Sequence, residues 1–124
     1  MIDIAEDMMA AIISAGYATG GVDIFRNAPL DTPDNVIVVT GTSGQIPISI
    51  LGGTNINKPG FQVLVRNTNA TDAIDLCENI RVLFTKNTVI TGYTLIDCAQ
   101  SHCTLMGSDA KLRYLAVCNF TTFK

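Results

Sequence analysis

No run of lysine or arginine occurs in this 124-residue chain, whose 8 basic and 11 acidic residues leave a formal net charge of −3. A protein that grips nucleic acid through its phosphates needs a basic stripe, so that class is excluded. Charge of either sign is scarce, at 15% of residues against about 25% in an average domain. A surface so poor in charge favours association. Long apolar runs are absent too: stretches such as Met8–Ile13 fall far short of the ~20 residues of a membrane-spanning helix. No basic residue precedes Arg26, so the positive start of a secretory signal is missing. The expectation is a chain made and kept in the cytosol, with no membrane partner.

Recognisable site motifs are equally lacking. There is no CxxC pair, and neither Gly20-Gly21 nor Gly41-Thr-Ser-Gly44 fits a phosphate-binding loop. Turn glycine explains both. The one histidine, His102, stands between Ser101 and Cys103. Adjacency in sequence does not make a nucleophile–base pair, because such groups must converge in space. Cys98, His102 and Cys103 could be offered as metal ligands, but a fourth would have to come from Cys77 or Cys118, both at core-facing positions. The expectation is no catalytic residue, no metal and no cofactor. A small enzyme working through Ser101, His102 and Cys103 is the remote alternative. The four cysteines are expected to be reduced thiols, buried as small hydrophobes. Two sequons, at Asn69 and Asn119, lack the secretory route that glycosylation needs.

What is present is a single domain over residues 1–124, the size of one ordinary folding unit. Residues 3–15 read as a helix, with Asp3 and Glu6 as a capping box and Ile4, Met8, Ala11, Ile12 and Ala15 on one face. Gly16 suits its left-handed stop. Residues 22–27 read as a short strand, and 27–35 as a proline-broken loop. Val36–Thr40 is a β-branched strand, apolar on both faces, inside the sheet.

Phe61–Asn67 alternates Phe61, Val63 and Val65 against Gln62, Leu64 and Arg66. A second helix over 71–86 carries Ala73, Leu76, Cys77, Ile80, Leu83 and Phe84 as its stripe, with Thr71 as N-cap. Residues 89–98 and 103–106 read as extended pieces. A turn at 107–110 leads into a final strand over 111–123, with Leu112, Tyr114, Ala116, Cys118 and Phe120 on one face. The fold class is α+β: one mixed or antiparallel sheet with two helices packed on it.

Residues 41–60 stand apart. They hold Gly41, Gly44, Gly52, Gly53, Gly60, Pro47 and Pro59 beside Ile46, Ile48, Ile50 and Leu51. Twenty irregular residues are too many for an ordinary connection. They form either a hairpin on the domain's own core or an arm that packs on a neighbouring subunit. Ile46, Ile48, Ile50 and Leu51, with Gln62, Leu64 and Arg66 on the two-sided strand, are the candidate interface residues.

Met1-Ile-Asp-Ile-Ala5, Pro33-Asp-Asn-Val-Ile37 and Pro59-Gly-Phe-Gln-Val-Leu-Val-Arg66 occur in that order, before an amphipathic helix and an aromatic-bearing last strand. In this the chain resembles the minor capsid and tail-terminator proteins of tailed bacteriophages, from its start to about the end of the second helix. The resemblance implies a sheet flanked by helices and a structural virion subunit without cofactor or catalysis. It implies a homo-oligomeric ring, usually a hexamer, that caps the tail tube and joins the tail to the head connector, with DNA only passing through the lumen. Such a protein is built in the bacterial cytoplasm and ends in the virion neck. A head-completion or other minor capsid subunit is the alternative within the same class.

Overall fold

The computed structural model describes residues 4–20, 23–26, 34–50, 54–87, 90, 92–93, 95–98 and 102–123, with the side chains of 43–50, 54–57, 86–87 and 95 left out. In chain order these form α1 (Ile4–Ser14), β1 (Ile24–Arg26), β2 (Val36–Ile50), β3 (Thr54–Asn67), α2 (Ala70–Val82), β4 (Leu95–Cys98), β5 (Thr104–Ser108) and β6 (Tyr114–Phe123). The sheet order is β1-β2-β3-β6-β4, and β5 also pairs with β6. Among the described strands only the β1–β2 pair is parallel; the pairs β2–β3, β3–β6, β4–β6 and β5–β6 are antiparallel. The domain is therefore α+β, with two helices on a mixed sheet.

Both helices cover the same sheet face. Ala5, Met8 and Ile12 of α1 and Ala73, Cys77 and Ile80 of α2 are buried in one core with Ile37, Val39, Phe61, Val63, Val65, Ala116, Cys118 and Phe120. Phe61 pairs directly with Phe120 across the β3–β6 ladder. Their rings stack at 4.7 Å, and Phe84 meets both edge-on at 5.1 and 5.5 Å. Phe84 reaches them from a π-helical turn over Leu83–Asn87 that continues α2. Such ring pairs add about 0.5–1.5 kcal/mol each beyond the area they bury.

Gly16 takes φ +86 after α1, the left-handed stop expected there. Asp3, the expected cap of α1, lies outside the described residues, as does most of the 27–35 loop. Ala15, expected on the buried face, is exposed. The cap of α2 is Asn69 rather than Thr71: the Asn69 side chain accepts from the Thr71 and Asp72 N–H groups at 2.9 and 3.2 Å. An amide oxygen two residues earlier reaches the first free donors of the helix, and Thr71 is itself inside it.

The largest departure is the 41–60 segment. Its described residues, 41–50 and 54–60, are not irregular. β2 and β3 continue through it as one ladder, from Val36↔Arg66 out to Ile50↔Thr54. Register shifts between Thr42 and Gln45, and again between Gln45 and Ile48, absorb Gly44 and Pro47. Pro59 falls between the paired residues Lys58 and Gly60. A proline is tolerated in a strand at such a break because it has no N–H to give. Its carbonyl is not wasted: the buried Thr122 hydroxyl donates to it at 2.8 Å.

Candidate assembly surface

The ladder register sorts the second sheet face without ambiguity. Val36, Arg66 and Leu115 form one row across β2, β3 and β6; Val38, Leu64 and Val117 form the next; Thr40, Gln62 and Asn119 form a third. Phe25 of β1 extends the middle row. None of these side chains joins the core under the helices. The centre of this face is apolar and already buried within the protomer, with Val38 at 3% and Val117 at 7% exposure, and its margins are polar and tied down. Gln62 Nε2 donates to Asn119 Oδ1 at 3.1 Å, and Arg66 Nε donates to the Asp34 carbonyl at 3.1 Å. Arg66 is only 5% exposed, so its charge is spent on holding a loop. Among the described residues, no helix packs on this face.

Gln62, Leu64 and Arg66, expected as interface residues, thus share this helix-free face. Ile46, Ile48 and Ile50 lie on the outer half of β2, though their side chains are not described. Leu51 lies outside the described residues.

A second patch was not foreseen. All of β5 is exposed, including Leu105 and Met106, and the turn that follows presents Leu112 at 73% exposure. Leu112 also holds φ +58, a left-handed conformation that costs a non-glycine residue about 1–2 kcal/mol. A large apolar side chain that is both strained and bare gains nothing for the isolated fold. The turn is locked around it: Asp109 Oδ1 accepts from the Lys111 and Arg113 N–H groups at 3.0 and 2.9 Å, and Oδ2 accepts from Arg113 Nε at 2.8 Å. Alternation puts Leu112 on the face of Tyr114 and Ala116, but the strand starts only at Tyr114 and Leu112 stands in the turn before it, since positive φ and exposure cannot be read from hydrophobic pattern.

The 98–118 region holds the other feature that sequence reasoning missed. Cys77 of α2, Cys98 of β4, Cys103 and Cys118 of β6 converge at one end of the core, and none is joined in a disulfide. Cys98 Sγ lies 3.0 Å from Cys118 Sγ. Hydrogen bonding to Cys118 favours the Cys103 thiolate, but the contact with Cys77 and burial outweigh it and push the thiol far up. The Cys103 contact and burial push Cys118 up as well.

Beside them, the Cys103 N–H donates to Glu78 Oε1, and Arg81 Nε and Nη2 donate to Glu78 Oε2 at 3.0 and 2.9 Å. Burial opposes the charge on Glu78, yet these partners hold its carboxyl below the usual range. His102 is 83% exposed, with Nδ1 4.0 Å from Glu78; Ser101 lies outside the described residues. Asp97 is exposed on β4, and Asp109 is committed to Arg113. The described residues therefore bring no nucleophile, base and orienting acid together.

The family model for bacteriophage tail terminator proteins matches residues 11–123. The chain belongs to the bacteriophage tail terminator family. No curated protein matches it significantly. As a tail terminator it is a structural component of a phage virion and assembles with other virion proteins. No described helix is long and apolar enough to cross a membrane.

Proposed function

We propose that this tail terminator acts as the repeating subunit of a ring, with six copies, that caps the finished tail tube and joins the tail to the head connector. It works by contact and carries out no reaction. The observation that carries the reading is the exposed apolar edge formed by Leu105, Met106 and Leu112, at 43, 63 and 73% exposure.

A ring needs two unlike patches on each subunit that close on rotation. The outer half of the β2–β3 hairpin supplies one, and the Leu105–Met106–Leu112 edge supplies the other. A lumen that lets DNA slide should lack a basic stripe, since phosphate neutralisation would hold the duplex. The net charge of −3 suits that demand.

The test is electron microscopy of the purified protein with tail tubes and connector. Capped tubes of defined length, each ending in a ring, are expected. A protein that stays monomeric and ignores both tube and connector would sink the proposal. A shortened variant addresses the hairpin: replacing residues 46–57 by Asn-Gly closes it at the Gln45–Lys58 pair with a favoured two-residue turn. That variant should keep its melting temperature and lose capping. Equal loss of both would mean that the hairpin serves its own domain.

A further inference from the structure

The four cysteines come from separate stretches of chain, yet their thiols meet in one cluster, and they differ in access. Cys77 and Cys118 have no solvent exposure and Cys103 has 9%, whereas Cys98 is half-buried at the last position of β4. Cys98 pairs with Phe120 in the ladder, so Cys118 is its diagonal neighbour on the same face. The two sulfurs nonetheless stand 3.0 Å apart, about 1 Å beyond a disulfide bond of ~2.0 Å.

We propose that Cys98 and Cys118 close into an intramolecular disulfide when the protein meets a low-molecular-weight disulfide, covalently tying β4 to β6. The Cys98 thiolate attacks one sulfur of the oxidant, giving a mixed disulfide and releasing half of the oxidant as a thiol. The Cys118 sulfur then attacks the Cys98 sulfur, forming the protein disulfide and expelling the second half. Two cysteine sulfurs lose two electrons to the oxidant, and their two protons end on the two released thiols. Cys98 enters first because an outside reagent can reach it. Cys118 follows slowly, because its raised thiol pKa keeps its thiolate fraction small. Once formed, the bond has one sulfur sealed in the core, where thiols of the surroundings cannot attack it.

The pair is set for a change of compartment: reduced while the subunit is made in a reducing cytosol, oxidised outside it. The chemistry rests on the sulfur geometry alone and is independent of ring formation.

The experiment uses the full chain treated with oxidised glutathione, followed by thiol counting under denaturing conditions and peptide mass mapping. One bridge with two remaining thiols is expected. Cys98 and Cys103 have no lysine or arginine between them and so share a tryptic peptide, which makes variants decide the pairing. Cys103→Ala and Cys77→Ala should keep the bridge; Cys98→Ala should abolish it. The oxidised protein should melt roughly 5–10 °C higher than the reduced one, with no such gain in Cys98→Ala. Four thiols still titrating after treatment would overturn the proposal, as would a bridge retained in Cys98→Ala. One equivalent of zinc held by the reduced protein and lost in Cys98→Ala would replace it with a metal centre.

Discussion

The Arg113 guanidinium sits 2.7 Å from the Asp109 carboxylate, four residues back along the chain, and closes the turn between β5 and β6. Arg113 itself is 5% exposed, and its Nη1 also lies 3.5 Å from Asp34 Oδ1. One buried cation therefore ties the β5–β6 turn to the residues that lead into β2.

That ion pair makes the turn sensitive to acid. The hydrogen bond from Arg113, with the backbone N–H groups beside it, holds the Asp109 carboxyl at about 2, below its ordinary 3.8. A carboxylate with a lowered folded-state pKa gives stability that is full above its unfolded value and vanishes as pH falls through the folded one. The gap in melting temperature between the native chain and Asp109→Asn should stay constant above about pH 4 and close toward about pH 2. A gap that persists unchanged to the lower pH would show that the charge is not what holds the turn.

Leu112 predicts effects of opposite sign. Asparagine tolerates the left-handed region that leucine resists. Leu112→Asn should raise the stability of the isolated subunit by about 1 kcal/mol in urea unfolding. The same change should weaken binding to tail tubes, because it removes an exposed apolar side chain. A variant that is more stable and caps tubes normally would remove Leu112 from the contact surface.

For the start of α2 the prediction concerns Asn69. Asn69→Ala strips two helix N–H groups of their acceptor and should cost about 1 kcal/mol by chemical denaturation. Thr71→Ala should cost less, since its side chain does not cap the helix. The reverse order would return the cap to Thr71.

The aromatic cluster carries the largest single-residue effect. Phe61 has no exposure and contacts both Phe84 and Phe120. Phe61→Ala should destabilise by about 3–5 kcal/mol, and Phe61→Leu by clearly less. A small loss for the alanine variant in thermal unfolding would mean that the site collapses around the cavity.

Residues whose role is set by pattern were readable from the sequence. The alternation in Phe61–Arg66 put Val63 and Leu64 on opposite sheet faces, and the stripe from Ala73 to Phe84 found the buried side of α2. Both follow from periods that burial imposes on strand and helix. A hairpin was one of two readings open for 41–60, but its continuous ladder was not readable, because Gly44, Pro47 and Pro59 look like loop residues unless one knows that they fall at register breaks. The same alternation groups Gln62, Leu64 and Arg66 on one sheet face, whereas the exposure of Leu105 and Met106 is not encoded in a pattern that reads as ordinary strand. The thiol cluster was also hidden. Cys77 and Cys118 were rightly placed in the core, but only the packing of α2 across β6 brings them to Cys98 and Cys103.

The sheet order also sets a timetable. β4 and β5 precede β6 in the chain, yet β6 is the strand with which both pair, and β3 needs it as its second neighbour. During translation these three strands must wait with open edges until residues 114–123 clear the ribosome. Long-range pairing of this kind is slow and leaves nascent chains prone to clumping. A ribosome-stalled fragment ending before Tyr114 should therefore be held by chaperones, and release of the last strand should let the sheet close at once.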